Sequence, residues 1–89
     1  MKVVTTVKIK NNLGLHIRPA ASIVKMLKNT KCDVTFTYKK ESVNAKSIMG
    51  ILMLALKKNS MITITINGPD ADKVMDELTI AFENSFGEK

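Results

Sequence analysis

The hydrophobic period of this 89-residue chain switches repeatedly between the strand value of about two and the helix value of about 3.6, and that alternation dictates its architecture. Val3, Thr5, Val7 and Ile9 fall on one face of a first strand, with Val4, Thr6, Lys8 and Lys10 on the other. Asn11, Asn12 and Gly14 break the pattern. A helix follows in which Ala20, Ile23, Val24 and Leu27 stand at i, i+3, i+4 and i+7, with Lys25 and Lys28 outside. Val34, Phe36 and Tyr38 alternate with Thr35, Thr37 and Lys39 as a second strand. After the polar turn 39–41, a short third strand is expected over 42–44. A second helix is expected from 47 to about 57. Ile62, Ile64 and Ile66 then alternate with Met61, Thr63 and Thr65, and the turn Asn67-Gly68-Pro69 leads to a last helix. There Asp70 is placed to cap the N-terminus, and Ala71, Val74, Met75, Leu78, Ala81 and Phe82 form the apolar stripe. The order is βαββαβα. One-faced strands need a cover and three helices can supply it, so the expected fold is a two-layer α+β sandwich with a mainly antiparallel sheet.

Length and composition set the remaining bounds. A chain of this size, 45% hydrophobic and 25% charged, supports one core, and a single domain over 1–89 is expected. The alternating Val/Thr pattern near Met1 does not read as a signal peptide, which points to the cytoplasm. The longest apolar run, 48–56 (IMGILMLAL), is about half the ~20 residues a membrane-spanning helix needs, so no membrane insertion is expected. Cys32 is the only cysteine; it excludes an internal disulfide and reads as a structural or incidental thiol. The formal net charge of +6 favours acidic partners without choosing among nucleic acid, membrane, phosphate ligand and acidic protein.

His16, the only histidine, stands where the first helix begins, in the stretch LGLHIRPAAS. An isolated histidine there is ordinarily a loop or cap residue. Its neighbours point elsewhere. A helix start offers unpaired backbone N–H groups and the positive end of the helix dipole, which together favour an anion. Imidazole is a nucleophile at neutral pH. A phosphoryl group on its ring would lie beside the N–H groups of Ile17 and Arg18, with the Arg18 guanidinium as a charge-assisted donor. Pro19 starts a helix without wasting a needed donor. Leu13, Leu15 and Ile17 are expected to shield the ring in part, and Gly14 to permit a tight turn before it. No metal site is expected, since one histidine and one cysteine provide no set of ligands. A hydrolase triad has no nominated serine.

The segment 14–21, GLHIRPAA, resembles the active-site signature of the histidine-containing phosphocarrier (HPr) family of the bacterial phosphoenolpyruvate-dependent sugar phosphotransferase system. The segment 45–50, AKSIMG, resembles that family's regulatory-serine segment, and the element order agrees over essentially the whole chain. The resemblance implies an open-faced sandwich of four antiparallel strands and three helices. It implies a non-enzymatic covalent relay that accepts a phosphoryl group on Nδ1 of His16 from enzyme I and passes it to enzyme IIA domains, with Arg18 assisting and no cofactor. It also implies a serine kinase/phosphorylase acting on Ser47, and a monomer.

The second helix carries two apolar stripes, Ile48, Ile51, Leu54 and Ala55 on one side and Met49, Leu52, Met53 and Leu56 on another. A small domain rarely buries both. One stripe could simply be core; the alternative is an exposed docking patch of Ile17, Met49, Leu52 and Met53, in which methionines repack against several partners. Arg18, Lys25, Lys28 and Lys46 would form its basic rim, or an ordinary solvated face. Ser47 is expected to cap this helix, and a phosphate on it would place about −1.5 to −2 charges at the docking face. Ala55 and Asn59 stand where many family members have glycine, and asparagine tolerates the left-handed conformation such a site needs. Two other readings fit the composition. A small nucleic-acid-binding domain is suggested by charge, but there is no G-x-x-G loop and Phe36 and Tyr38 lie on the core face. A pure interaction module is opposed only by His16 with Arg18.

Overall fold

The computed structural model describes residues 1–88. Seven elements follow the expected order: β1 (Lys2–Lys8), α1 (Ile17–Leu27), β2 (Asp33–Tyr38), β3 (Glu41–Asn44), α2 (Ile48–Met53), β4 (Met61–Asn67) and α3 (Ala71–Glu83), with a short 3-10 turn at Ser85–Gly87. The strands form one open antiparallel sheet in the order β1-β4-β2-β3. β4 lies in the middle because it is the most apolar on one face. Its Ile62, Ile64 and Ile66 oppose Val7, Thr5 and Val3 of β1, and Ile64 and Ile66 also oppose Phe36 and Val34 of β2. Cover for this face comes from Ile23 and Leu27 of α1, Ile51 of α2 and Met75, Leu78 and Phe82 of α3, all buried. Phe82 meets Phe36 edge-on with ring centroids 5.9 Å apart, a geometry that adds about 0.5–1.5 kcal/mol beyond burial. The other face of the sheet carries Val4, Thr6, Thr35, Thr37, Thr63 and Thr65 and stays open. Buried Cys32 donates its thiol to the carbonyl of Pro69 at 2.7 Å, tying the entry of β2 to the entry of α3.

Two expectations about helix ends need correction. The second helix does not reach residue 57: it ends at Met53, with Leu54 as its C-cap, because Ala55 turns into the left-handed region at φ 51. That turn exchanges the sides of the following residues. Ala55, assigned above to the core stripe, is exposed, and Leu56, assigned to the outer stripe, is buried. The signal was masked because the position holds alanine where glycine would announce the stop. Asn59 is also left-handed, at φ 74, as expected of its place. Asp70 occupies the N-cap of α3 but does not cap it. Its backbone is left-handed at φ 59 and its side chain makes no capping bond, whereas a capping side chain requires an extended backbone.

Candidate functional site

The loop before α1 is built on a glycine. Gly14 has φ 70, and a Cβ there would lie 2.1 Å from the Leu56 carbonyl oxygen, so no other residue fits without moving the backbone. The close approach lets the next residue, Leu15, donate its N–H to that same oxygen at 3.1 Å. The chain leaving α2 is thereby fastened to the loop that carries His16. Ile9 and Asn59 reinforce the junction: Ile9 N–H donates to the Ser60 carbonyl at 2.8 Å and Asn59 N–H to the Ile9 carbonyl at 2.7 Å.

His16 is the N-cap of α1, with an extended backbone at φ −78 and ψ −170, and its side chain does not cap the helix. The first amide to close a helical bond is Ala20, which donates to the His16 carbonyl at 3.1 Å. Pro19 has no N–H to offer. The amides of Ile17 and Arg18 therefore have no acceptor within the helix and point out of its start. Arg18 is exposed, and its guanidinium makes no hydrogen bond or ion pair among the described residues. Beside it opens a depression of about 390 Å³ lined by Asn12, Leu13, Arg18, Gly87 and Glu88. The His16 side chain is 27% exposed, enough for a reagent to reach. Leu15 is buried under the loop, but Leu13 and Ile17 are exposed and do not enclose the ring as expected. Apolar side chains at alternate positions of an irregular loop need not share a face.

One partner of the ring was not visible in the sequence. His16 Nε2 lies 2.8 Å from Glu88 Oε2, joining residues 72 apart in the chain. Asn11, 1% exposed, holds this carboxylate from behind: its Nδ2 donates to Glu88 Oε1 at 2.5 Å and to the Ser85 carbonyl at 2.8 Å. The Asn11 hydrogen bond, then the His16 hydrogen bond and the nearby charges of His16 and Arg18, outweigh desolvation and hold the Glu88 carboxyl below its usual range. A lowered folded pKa means that its stabilising effect is full above the ordinary carboxylate pKa and is lost as pH falls through the lowered value. Neither residue offers a sequence signal, since Asn11 reads as a strand breaker and Glu88 lies beyond the last periodic element.

At the other candidate position, Ser47 is extended, at φ −114 and ψ 118, and its Oγ accepts the Gly50 N–H at 3.0 Å, the cap that was expected. Met49 and Met53 are 69% and 71% exposed, Ile17 is 62% exposed, and Leu52 is partly buried against the core. α2 packs against α1, which brings the two candidate regions onto neighbouring elements. Lys46 is not a free rim charge, because its Nζ donates to the Thr30 carbonyl at 2.9 Å. Among the described residues no group of three or more His, Cys, Asp or Glu comes together as a metal site, and no helix is long and apolar enough to cross a membrane.

The family profile for the PTS HPr component phosphorylation site matches residues 3–84. The chain belongs to the HPr family. It is 48% identical over 80 residues to the phosphocarrier protein HPr of Chlamydia muridarum, covering 90% of this chain and 77% of that protein. Among solved structures, HPr-C-His from Thermoanaerobacter tengcongensis superposes with a TM-score of 0.93 at 33% identity, covering 98% of each chain. A phosphocarrier protein HPr from Bacillus anthracis superposes at 0.84 with 39% identity, covering 89% of this chain and 94% of that one. The four-stranded open sheet with three helices is thus the HPr fold, and this family member is a phosphocarrier of the phosphotransferase system.

Proposed function

We propose that this family member, acting as a monomeric single domain in the cytoplasm, accepts a phosphoryl group on Nδ1 of His16 from enzyme I and passes it to enzyme IIA domains. The observation that carries the reading is the helix start: a partly exposed imidazole beside two amides with no capping side chain and a guanidinium that makes no hydrogen bond or ion pair among the described residues. Of the two ring nitrogens, Nδ1 is nearer the backbone and so nearer the amides of Ile17 and Arg18. Phosphoryl transfer needs mostly positioning and charge stabilisation, and amides plus Arg18 provide both without a cofactor. The N–P bond is labile, so the group can leave again.

Donor and acceptor must each bring a reactive group to the same ring, which makes docking part of the chemistry. Exposed Ile17, Met49 and Met53, with partly buried Leu52, supply the docking face in this reading. Ser47 is its regulatory position. A phosphate there, added by a serine kinase and removed by a phosphorylase, would place charge at the edge of that face and weaken partner association while the fold persists.

The test is labelled phosphate transfer from phosphoenolpyruvate in the presence of enzyme I. One phosphoryl group, stable in alkali and lost in acid, is expected on the wild type and none on His16→Ala. Arg18→Ala is expected to slow transfer while leaving the melting temperature nearly unchanged, because the residue is exposed. Label that survives His16→Ala overturns the reading.

A further inference from the structure

The tail that follows α3 is built to deliver one carboxylate to one nitrogen. Ser85 and Phe86 both adopt left-handed backbone conformations, at φ 53 and φ 52. Such conformations are unfavourable for residues with a Cβ and persist only where surrounding contacts impose them. Two contacts do so. The Phe86 ring meets Phe82 edge-on, with centroids 4.9 Å apart, and buried Asn11 donates to the Ser85 carbonyl. Asn11 gives up a partner of its own for this arrangement, for its Oδ1 is buried and meets no donor among the described residues. Its amide is turned so that Nδ2 serves both Ser85 and Glu88.

The consequence falls on the ring. An ionised carboxylate only accepts hydrogen bonds, so the 2.8 Å contact between Glu88 Oε2 and His16 Nε2 requires the nitrogen to be the donor. In a neutral imidazole the proton is then on Nε2 and the lone pair on Nδ1, since the partner of one nitrogen decides the state of the other. Nδ1 is the ring nitrogen covalently nearer the backbone, at the residue where the helix begins. We propose that Glu88, held by Asn11, is a positioning residue for transfer at His16: it fixes the tautomer whose Nδ1 lone pair meets the phosphoryl group and stabilises the imidazolium that results.

This inference rests on the reading of His16 as the phosphoryl acceptor. In the step, the Nδ1 lone pair forms the new N–P bond while the donor's bond to phosphorus breaks and its electron pair stays with the donor. No proton moves. The ring gains a positive charge, shared with an Nε2–H already bonded to a carboxylate. On delivery the N–P electrons return to Nδ1, and the acceptor takes the phosphoryl group.

Two readouts test it, on wild type, Glu88→Ala and Glu88→Gln. The first needs no donor: in a proton–nitrogen spectrum of the unphosphorylated protein labelled at histidine, a hydrogen-bonded Nε2–H of His16 should be visible in wild type. It should persist in Glu88→Gln, whose side-chain oxygen still accepts, and vanish by exchange with water in Glu88→Ala. The second is phosphoryl uptake from phosphoenolpyruvate and enzyme I. There Glu88→Ala should lower kcat by about tenfold, the rate equivalent of one hydrogen bond to a charged group lost from the transition state, with the KM of enzyme I for this protein unchanged and most of the rate recovered in Glu88→Gln. Thermal melts confirm that the variants fold. If Glu88→Ala keeps both the wild-type Nε2–H signal and the wild-type rate, the role of Glu88 is overturned while the reading of His16 stands. If the wild type takes up no phosphoryl group, the reading of His16 fails and the transfer role of Glu88 fails with it, whatever the spectra show.

Discussion

Two helices of this protein begin on an extended residue with a polar side chain, and the two starts are finished in opposite ways. At α2, Ser47 turns its hydroxyl inward and accepts the Gly50 N–H, so one of the helix's first-turn amides is satisfied by its own cap. At α1, His16 turns outward to Glu88 and leaves the amides of Ile17 and Arg18 without a capping side chain. The same local geometry yields a structural cap in one place and, in the proposed reading, an anion seat in the other. What separates them is the reach and partner of one side chain. A hydroxyl is short enough to bond its own helix, whereas an imidazole with a distant carboxylate partner is drawn away from it. Stability is gained at the first start, and the proposed chemistry is assigned to the second.

The harshest way to break this comparison is Gly14→Ala. The new Cβ would collide with the Leu56 carbonyl oxygen at the junction between the His16 loop and the end of α2, in a backbone conformation already costly for alanine. A loss of about 3 kcal/mol or more is expected in urea unfolding, and phosphoryl uptake should fall with it because the α1 start is displaced. Unfolding at wild-type denaturant concentration would show that the junction is not rigid.

Met49→Asp separates docking from folding. Met49 is 69% exposed, so stability should change by less than about 0.5 kcal/mol. A charge desolvated on docking without a partner should cut transfer from donor and to acceptor together, by about a hundredfold, equivalent to about 2.7 kcal/mol. Normal transfer by a folded Met49→Asp protein would remove α2 from the docking face.

Ser47→Ala sharpens the contrast between the starts. Losing the cap should lower stability by about 1 kcal/mol and leave uptake at His16 unchanged, as read by melts and labelled transfer. Ser47→Asp keeps a good capping residue, so it should retain stability yet weaken enzyme I association, more at low ionic strength than at high. The smallest expected effect is at the other end of the same helix. Ala55→Gly relieves a left-handed alanine at φ 51 and should raise stability by up to about 1 kcal/mol. No gain in the melting temperature would mean that the alanine is held there by contacts that outweigh its strain.

The strands were legible because each buries one face, so Ile62, Ile64 and Ile66 had to alternate with polar neighbours. The places of His16, Arg18 and Ser47 at two helix starts were legible as a local pattern. The end of α2 was not, because helical periodicity continues through Ala55 and Leu56 although the backbone has already turned. Glu88 and Asn11 were hidden for a different reason. Their contact joins positions 77 apart, and no periodicity or capping rule relates a strand breaker to a residue near the end of the chain. Local physics is written in neighbouring residues; the partner of the ring is set by how the layers pack.

The most direct measurement is phosphorus NMR of the protein after incubation with phosphoenolpyruvate and enzyme I, repeated after brief acid treatment. If the uncapped start of α1 is the phosphoryl seat and the self-capped start of α2 is not, the wild type shows a single nitrogen-bound phosphorus signal that acid removes, and His16→Ala shows none. An acid-stable, oxygen-bound signal in the wild type, or any protein-bound signal in His16→Ala, would contradict that assignment.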